Sequence, residues 1–174
     1  MHLTTLFVLP AAVEAVNFAY ESIQLTEANI AEFPAIAFGD PTKIPKNERP
    51  VCRVSPDTPE WPVDDEWSRL NSSVGGALLK PIPTASACYD GPNKNSSICS
   101  YLLTTAKETR FYINDPLTAL TEWTQGGTCP LALRPKGNCT QGGSPVYVVN
   151  VTTVSQIQAA VNFARNRNVR LVIK

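Results

Sequence analysis

The sequence predicts an α+β protein in which a helical, disulfide-containing N-terminal region is followed by a βαβ unit. Three observations carry this prediction. The pattern of residues 145–174 predicts a strand, a helix and a second strand. Five cysteines lie among prolines, glycines and asparagines. Short helical patterns alternate with proline-rich loops. A chain of 174 residues is long enough to form one domain with its own hydrophobic core.

Two strand patterns lie near the C-terminus. Pro145 opens a β-branched and aromatic run that predicts a strand over 146–150, and the run VRLVIK predicts another over 169–173. Continuous apolar runs are typical of parallel strands that are buried on both faces. With a helix between them, they indicate a βαβ unit with a right-handed crossover. Ligands of such folds lie beyond the carboxyl ends of the strands, so we expect the binding loop to follow Lys174.

A helix is predicted between these two strands. Thr153 and Gln156 have the spacing of a capping box, and Arg165 and Arg167 suit the negative end of the helix dipole. The apolar residues that recur at helical period are Val154, Ile157, Val161 and Ala164. This stripe is predicted to face the core.

Shorter helices are predicted upstream. One is expected near 26–32, within an extended and proline-rich arm. Another should begin at Asp64 as its N-cap and end at Gly75-Gly76. Its apolar face is formed by Trp67, Leu70 and Val74. A short extended segment is predicted to follow over 76–83.

Two further helices are predicted in the middle of the chain. The first covers 96–112, and the second covers 114–123 with Asp115 as its N-cap and Pro116 at its first position. A loop rich in glycine, proline and cysteine then extends over 123–145.

The N-terminus predicts a secreted protein. The apolar stretch over 3–13 is too short to span a bilayer. Residues 13–15 provide a signal-peptidase site, which predicts a signal peptide over 1–15 with cleavage after Ala15. The alternative is an ordinary buried N-terminal segment.

Four sequons for N-linked glycosylation agree with secretion. The acceptor residues are Asn71, Asn95, Asn138 and Asn150. Four sequons in so short a chain are more than chance usually gives, and we therefore predict glycosylation at these positions.

The five cysteines predict a disulfide framework in an oxidising compartment. Pairing of neighbours would join Cys88 to Cys99 and Cys129 to Cys139. Each bond would close a short loop and contribute roughly 2–4 kcal/mol. Cys52 is left over, which suggests a partner outside this sequence. Thiolate nucleophiles or zinc ligands are disfavoured because no Cys-x-x-Cys pair is present.

Composition excludes several classes of function. Fifteen basic and fifteen acidic residues give no net charge, which argues against a nucleic-acid partner or an anionic membrane surface. The only histidine, His2, lies in the predicted signal peptide. The processed chain would therefore lack histidine general bases, histidine-ligated zinc and Ser-His-Asp or Cys-His catalysis.

Three residue groups have both a chemical and a structural interpretation. The carboxylates that could form a glycosidase pair are Asp64, Asp65, Glu66 and Glu122, and we interpret them as a charged helix start and a solvated glutamate.

The glycine pairs are Gly126-Gly127 and Gly142-Gly143; neither follows a strand and opens a helix, as a phosphate loop requires. The tryptophans that could form a sugar platform are Trp61, Trp67 and Trp123, but core packing is the default.

The order of these features resembles a known family. The segments CRVSPDTPEWPVDDEWSRLNSSVGGALLKPIP, ACYD and GGSPVYVVNVTTVSQIQAAVNFARNRNVRLVIK resemble the N-terminal region of secreted fungal FAD-linked oxidases. These belong to the vanillyl-alcohol-oxidase superfamily, near the berberine-bridge-enzyme-like and isoamyl-alcohol-oxidase-like proteins. The resemblance covers 52–174, and its most specific parts are the Trp61/Trp67 block and the C-terminal βαβ pattern.

The resemblance implies that residues 141–174 begin a PCMH-type FAD-binding domain, after the loop-rich helical region 16–140. In the full-length family, a small-molecule alcohol, amine or sugar gives hydride to the flavin, and oxygen takes the electrons to form hydrogen peroxide. The glycine-rich loop that holds the FAD pyrophosphate would follow this sequence. No catalytic, cofactor-binding or metal-binding residue is therefore carried onto it, and we expect an incomplete domain that does not retain FAD.

Three hypotheses follow. The first is the N-terminal piece of a secreted flavoprotein oxidase without turnover of its own. The second is a stand-alone secreted glycoprotein that binds a partner through a strand edge or the proline-rich arm. The third, disfavoured by the histidine count, is a small hydrolase that uses carboxylates.

Overall fold

A computed structural model describes residues 18–40, 52–114 and 127–174. These residues form short helices and one small sheet. The helices are α1 (Glu27–Glu32), α2 (Asp64–Ser73), α3 (Ser96–Thr105), α4 (Thr109–Asn114) and α5 (Val154–Asn166), and the strands are β1 (Leu78–Leu79) and β2 (Val148–Val149). Single turns of 3₁₀-helix cover Ala19–Ser22, Pro34–Ile36 and Thr84–Cys88. The mixed helical and strand character agrees with the predicted class.

Helix α5 begins as its sequence predicts. The Thr153 hydroxyl accepts a hydrogen bond from the Gln156 amide at 3.3 Å, and the Gln156 carboxamide oxygen accepts one from the Thr153 amide at 3.2 Å. This reciprocal capping box satisfies two backbone donors that the first turn leaves without helical partners. The N-terminus of helix α1 is capped in the same way by Thr26 and Asn29.

The apolar stripe predicted to face the core from α5 is confirmed at Ala164 and wrong at Ile157 and Val161. The residues that α5 buries are Ala159, Asn162, Phe163 and Ala164. Ile157 is instead 45% exposed and Val161 38% exposed. The physical reason is that α5 turns a partly polar face inward, and hydrophobic periodicity cannot detect a buried asparagine whose hydrogen bonds are satisfied.

That polar face holds an N-terminal arm, residues 18–40. Gln158, Asn162 and Asn166 lie one turn apart on α5, and we call them the amide ladder. The Gln158 oxygen accepts the Leu25 amide at 2.8 Å, and the Asn162 nitrogen donates to the Ile36 carbonyl at 3.0 Å. The Asn166 nitrogen donates at 2.9 Å to the carbonyls of Ala35 and Ala37.

The arm continues under the last turn of α5. Arg165 donates to the Ala37 carbonyl at 2.7 Å. A Cβ placed on Gly39 would lie 3.0 Å from the Arg165 guanidinium, so a larger residue would require that side chain to shift.

The core lies where the arm, α2 and α5 meet. Its buried members are Leu25, Phe33, Ala35, Ile36, Trp67, Leu70, Val74, Ala159 and Phe163. The prediction that Trp67, Leu70 and Val74 share one apolar face of α2 is confirmed. Asp64 is not the N-cap, however, because Val63 takes that position and Asp64 opens the helix. An acidic residue at the first position still complements the helix dipole.

The middle of the chain differs from its prediction. The single helix expected over 96–112 is two helices, α3 and α4, with a turn at 106–108 between them. Asn95 caps α3 by accepting the Ile98 amide at 3.0 Å. The helix predicted over 114–123 falls almost wholly outside the described residues.

The predicted strand pairing is also wrong. β2 pairs with β1 in antiparallel register, with Leu78 opposite Val149 and Leu79 opposite Val148. In the described part of the chain, the partner of Val169 is Val54, through a single parallel bridge. Residues 170–174 are not a strand there, because the only ladder contact that the described backbone offers this run is at Val169.

The predicted signal peptide, 1–15, lies outside the described residues. Among the helices that are described, none combines the length and the apolar character that a membrane crossing needs.

A first prediction concerns the amide ladder. Asn162→Ala should lower the free energy of unfolding by about 1–3 kcal/mol, because it leaves the Ile36 carbonyl buried without its partner. Urea unfolding followed by circular dichroism measures the change. Val161→Ala, on the exposed side of the same helix, is the matched control, and it should cost less than about 0.5 kcal/mol. Equal effects of the two substitutions would contradict the role given to Asn162.

Candidate functional site

Aromatic side chains gather around Trp67. Its ring centroid lies 4.0 Å from that of Tyr147 in a stacked arrangement, 5.0 Å from Phe163 and 5.3 Å from Trp61. Trp67 is only 6% exposed. It is therefore a core residue, as the default interpretation predicted, and it cannot present a face to a sugar. Trp123 lies outside the described residues.

The C-terminal end of α5 is tied to α2 by an ion pair. Arg167 donates to the Glu66 carboxylate, and both side chains are partly buried. The two residues lie 101 positions apart in the chain. From the sequence, Glu66 was interpreted as part of a charged helix start and Arg167 as a cation at the negative end of the α5 dipole. In the structure the two side chains form an ion pair.

Asn168 joins the end of α5 to residues 52–54. Its φ of 53° is the left-handed conformation that asparagine tolerates after a helix. Its side chain accepts from Arg53 at 2.8 Å and donates to the Cys52 carbonyl at 2.9 Å, and its carbonyl accepts from the Val54 amide at 3.1 Å. This junction was not predicted from the sequence, although an asparagine after the last turn of a helix was the available signal.

The closing segment, residues 169–174, leaves this junction with its apolar side chains outward. Leu171, Val172 and Ile173 are 45%, 75% and 81% exposed. The closing segment therefore places three consecutive apolar side chains in solvent.

The carboxyl end of β2 is occupied by the chain itself. β2 leads into α5, and the amides of the first helical turn would be the natural site for a phosphate. The Ser155 amide instead donates to the Ile23 carbonyl of the arm at 2.8 Å. The Gln156 amide is taken by Thr153. The Ser155 and Gln156 amides are therefore not available to a phosphate.

The other chemical candidates are dispersed. Asp64 and Asp65 are exposed on the first turn of α2, Glu66 pairs with Arg167, and Glu122 lies outside the described residues. Within the described ranges, His, Cys, Asp and Glu form no group of three that could hold a metal ion. The ion pair with Lys94 lowers the pKa of Asp90, which is a fully solvated surface carboxylate. These positions give no pair of facing carboxylates.

The described glycines of the two pairs, Gly127, Gly142 and Gly143, lie in turns. Gly127 and Gly142 have positive φ values of 61° and 50°, which turns of this kind require. Neither opens a helix, while Gly126 lies outside the described residues.

The structure contains both expected disulfides, Cys88–Cys99 and Cys129–Cys139. The Tyr89 hydroxyl, next to the first bond, donates to the Pro130 carbonyl beside the second at 2.8 Å. The two bonds and this contact order the loop-rich region. Cys52 is free and exposed.

The acceptor residues of the four sequons all lie in described parts of the chain. Three of them, Asn95, Asn138 and Asn150, are exposed, whereas Asn71 is half-buried within α2.

Known proteins resemble this chain in sequence. No family model matches it. It is 40% identical over 127 residues to the FAD-linked oxidoreductase apf9 of Gibberella fujikuroi, a match that covers 71% of this chain and 21% of that protein. It is 36% identical over 131 residues to the VAO-type flavoprotein oxidase VAO615 of Thermothelomyces thermophilus, covering 74% of this chain and 23% of the oxidase.

The fold agrees with these relatives. The crystal structure of the VAO-type flavoprotein MtVAO615 from Myceliophthora thermophila C1 matches with a TM-score of 0.64 at 35% identity, covering 71% of this chain and 23% of that one. The chain is thus related to FAD-linked oxidoreductases. More narrowly, it corresponds to the N-terminal part of VAO-type flavoproteins, and it spans between 21% and 23% of the length of these relatives.

FAD is expected in such relatives, but the described residues do not form a cradle for it. A dinucleotide cradle needs free backbone amides in a glycine-rich turn after a strand. The glycines Gly75 and Gly76 lead from a helix to a strand, in the opposite order. The amides that follow β2 are engaged by the arm and by Thr153. We therefore assign no flavin contact to these residues.

A second prediction concerns Cys52. Because it is exposed and the other four cysteines are paired, native protein should react with one equivalent of Ellman's reagent. Cys52→Ser should react with none, and denaturation without reductant should not raise either value. Two or more equivalents from native protein would contradict the pairing described here.

Proposed function

We propose that this chain forms the N-terminal part of a secreted FAD-dependent oxidase. Its role there is to build the opening elements of the flavin-binding domain, and it has no turnover by itself. The observation that carries the proposal is the match of sequence and fold to about a fifth of VAO-type flavoproteins. In the complete oxidase, an alcohol, amine or sugar gives hydride to FAD, and oxygen then takes two electrons and two protons to form hydrogen peroxide.

The surface of the chain supports this role. The closing segment exposes Leu171, Val172 and Ile173 beyond the only ladder contact of Val169 in the described residues. A parallel sheet buries such residues on both faces. We infer that the rest of the flavin domain covers them and supplies the cofactor loop.

The competing hypothesis is a stand-alone secreted glycoprotein. The core formed by the arm, α2 and α5 favours it in one respect, since those residues bury one another within the chain. The exposed closing segment favours the oxidase fragment. The two hypotheses agree that the isolated chain folds and differ over what covers residues 171–173.

A third prediction tests the role in the oxidase. In VAO615, replacement of the N-terminal segment, up to the end of the match, by residues 18–174 of this chain, which include the arm that packs on α5, should give a yellow protein that produces peroxide with the substrates of VAO615. Deletion of the segment should abolish both properties. The isolated chain should show no visible flavin band and no peroxide in a peroxidase-coupled assay.

The controls separate folding from function. A second chimera carries Leu171→Asp and Val172→Asp, which place charge on the face that the flavin domain should cover. It should lose flavin, while the same two substitutions should leave the unfolding midpoint of the isolated chain nearly unchanged. A colourless first chimera, or a yellow isolated chain, would refute the proposal.

A fourth prediction concerns secretion. Expression of residues 1–174 in a secreting fungal host should release a protein whose first residue is Val16, because cleavage is expected after Ala15. Edman sequencing of the medium reads this directly. Retention inside the cell with Met1 intact would contradict the predicted signal peptide.

A further inference from the structure

The acceptor asparagines of the four sequons differ in burial and in secondary structure. An acceptor asparagine must present its side-chain nitrogen to solvent, which is why glycans lie on surface loops. Asn95, Asn138 and Asn150 are exposed and lie outside the helices, while Asn71 is half-buried inside α2.

Asn71 links the C-terminal end of α2 to the start of β1 through hydrogen bonds. Its side-chain oxygen accepts the Leu78 amide at 3.1 Å, and its carbonyl accepts the Gly76 amide at 2.8 Å. Gly75 and Gly76 make the turn between the two elements, with φ values of 66° and 85°. The side-chain oxygen of Asn71 is thus engaged at the junction of helix and strand.

The neighbours of Asn71 reinforce this arrangement. Leu70 and Val74 are 2% and 1% exposed, so the helix cannot lift at this point without opening the core. The hydroxyl that completes the sequon, on Ser73, donates to the Arg69 carbonyl at 2.9 Å. Asn71 therefore lies half-buried in a helix that is anchored to the core on both sides of it, whereas the other three acceptors are exposed outside helices.

Asn95 is suited to a glycan. It caps α3 through its side-chain oxygen, which accepts the Ile98 amide at 3.0 Å. A glycan attaches to the side-chain nitrogen, so the capping bond survives modification. The backbone of Asn95 is extended, with φ −147° and ψ 106°.

Asn138 and Asn150 also lie on loops. Asn138 precedes Cys139 in the second disulfide loop, and it is exposed. Asn150 follows β2 and pairs through its backbone, whose amide donates to the Ala77 carbonyl at 2.9 Å. That pairing leaves its side chain exposed, although it lies close to the junction that Asn71 closes.

We propose that Asn95, Asn138 and Asn150 carry N-linked oligosaccharides in the secreted protein, whereas Asn71, which lies half-buried inside α2 and bonds that helix to β1 through its side-chain oxygen, stays unmodified. In the transfer, a bond forms from the asparagine nitrogen to the first sugar carbon of a lipid-diphosphate-linked oligosaccharide. The nitrogen loses one proton, and the lipid diphosphate leaves. The inference rests on the proposed secretion.

The experiment measures site occupancy on folded protein from the medium of a secreting yeast. Enzymatic deglycosylation in ¹⁸O-water converts each modified asparagine to labelled aspartate, which peptide mass spectrometry locates. We expect label at Asn95, Asn138 and Asn150 and none at Asn71. Occupancy of Asn71 equal to or above that of any of the other three would overturn the proposal.

Matched variants remove each sequon while they keep its asparagine. Ser97→Ala, Thr140→Ala and Thr152→Ala should each reduce the intact mass by one glycan. Ser73→Ala should leave the glycan count unchanged. A loss of glycan mass in Ser73→Ala would count against the inference as directly as label on Asn71.

A second version of the chain distinguishes this inference from the proposed secretion. It carries the host's own secretion signal in place of residues 1–15. If only this version reaches the medium, and its label lies at the three exposed sequons, the predicted signal peptide fails and the inference stands. If its exposed sequons carry no glycan, the inference fails.

Hydrogen exchange tests the structural half of the proposal without any glycan. Asn71→Leu removes the acceptor of the Leu78 amide and should speed its exchange on the order of tenfold. Asn71→Asp keeps an acceptor and should stay near the parent rate. Unchanged exchange in Asn71→Leu would overturn the role of Asn71, whereas unfolding of Asn71→Leu alone would support it.

Discussion

The hydrogen bonds between α5 and the N-terminal arm are the constraint on which the rest of the structure depends. The bond from Asn162 to the Ile36 carbonyl joins residues 126 positions apart and lies in the buried core. Closing so long a loop costs entropy, which one hydrogen bond does not repay. The hydrogen bonds of three side-chain amides at one-turn spacing and the burial of Phe33 and Phe163 together offset this entropic cost. The order of the arm and of α5 is therefore cooperative, since neither surface is satisfied alone.

The same constraint decides where a ligand can approach. Because the arm takes the Ser155 amide, the start of α5 is closed to phosphate. Past α5, Asn168 fixes the direction of the chain, and Val54 pairs with Val169. The elements that the described residues form are scaffold, which is consistent with the match to part of VAO-type flavoproteins.

Local signals in the sequence predicted local structure well. The capping box of Thr153 and Gln156, the apolar face at Trp67 and the neighbouring disulfides depend on residues close together in the chain, and each is present. Pairings between distant residues were not predictable in the same way. Leu78 opposite Val149 and Val54 beside Val169 depend on tertiary arrangement. The inward face of α5 was not predicted because a hydropathy pattern assigns asparagine to the surface, even where its amide is hydrogen-bonded in the core.

The stability of this piece and the chemistry of the oxidase are separable for a physical reason. The core buries Trp67, Leu70 and Phe163 with contacts that the chain supplies itself, so its order needs no flavin. Leu171, Val172 and Ile173 are not part of that core and remain exposed. The closing segment is attached to the core through Val169, which packs against it, and through the Asn168 junction with residues 52–54. Changes at residues 171–173 should therefore leave the stability of the core nearly unchanged.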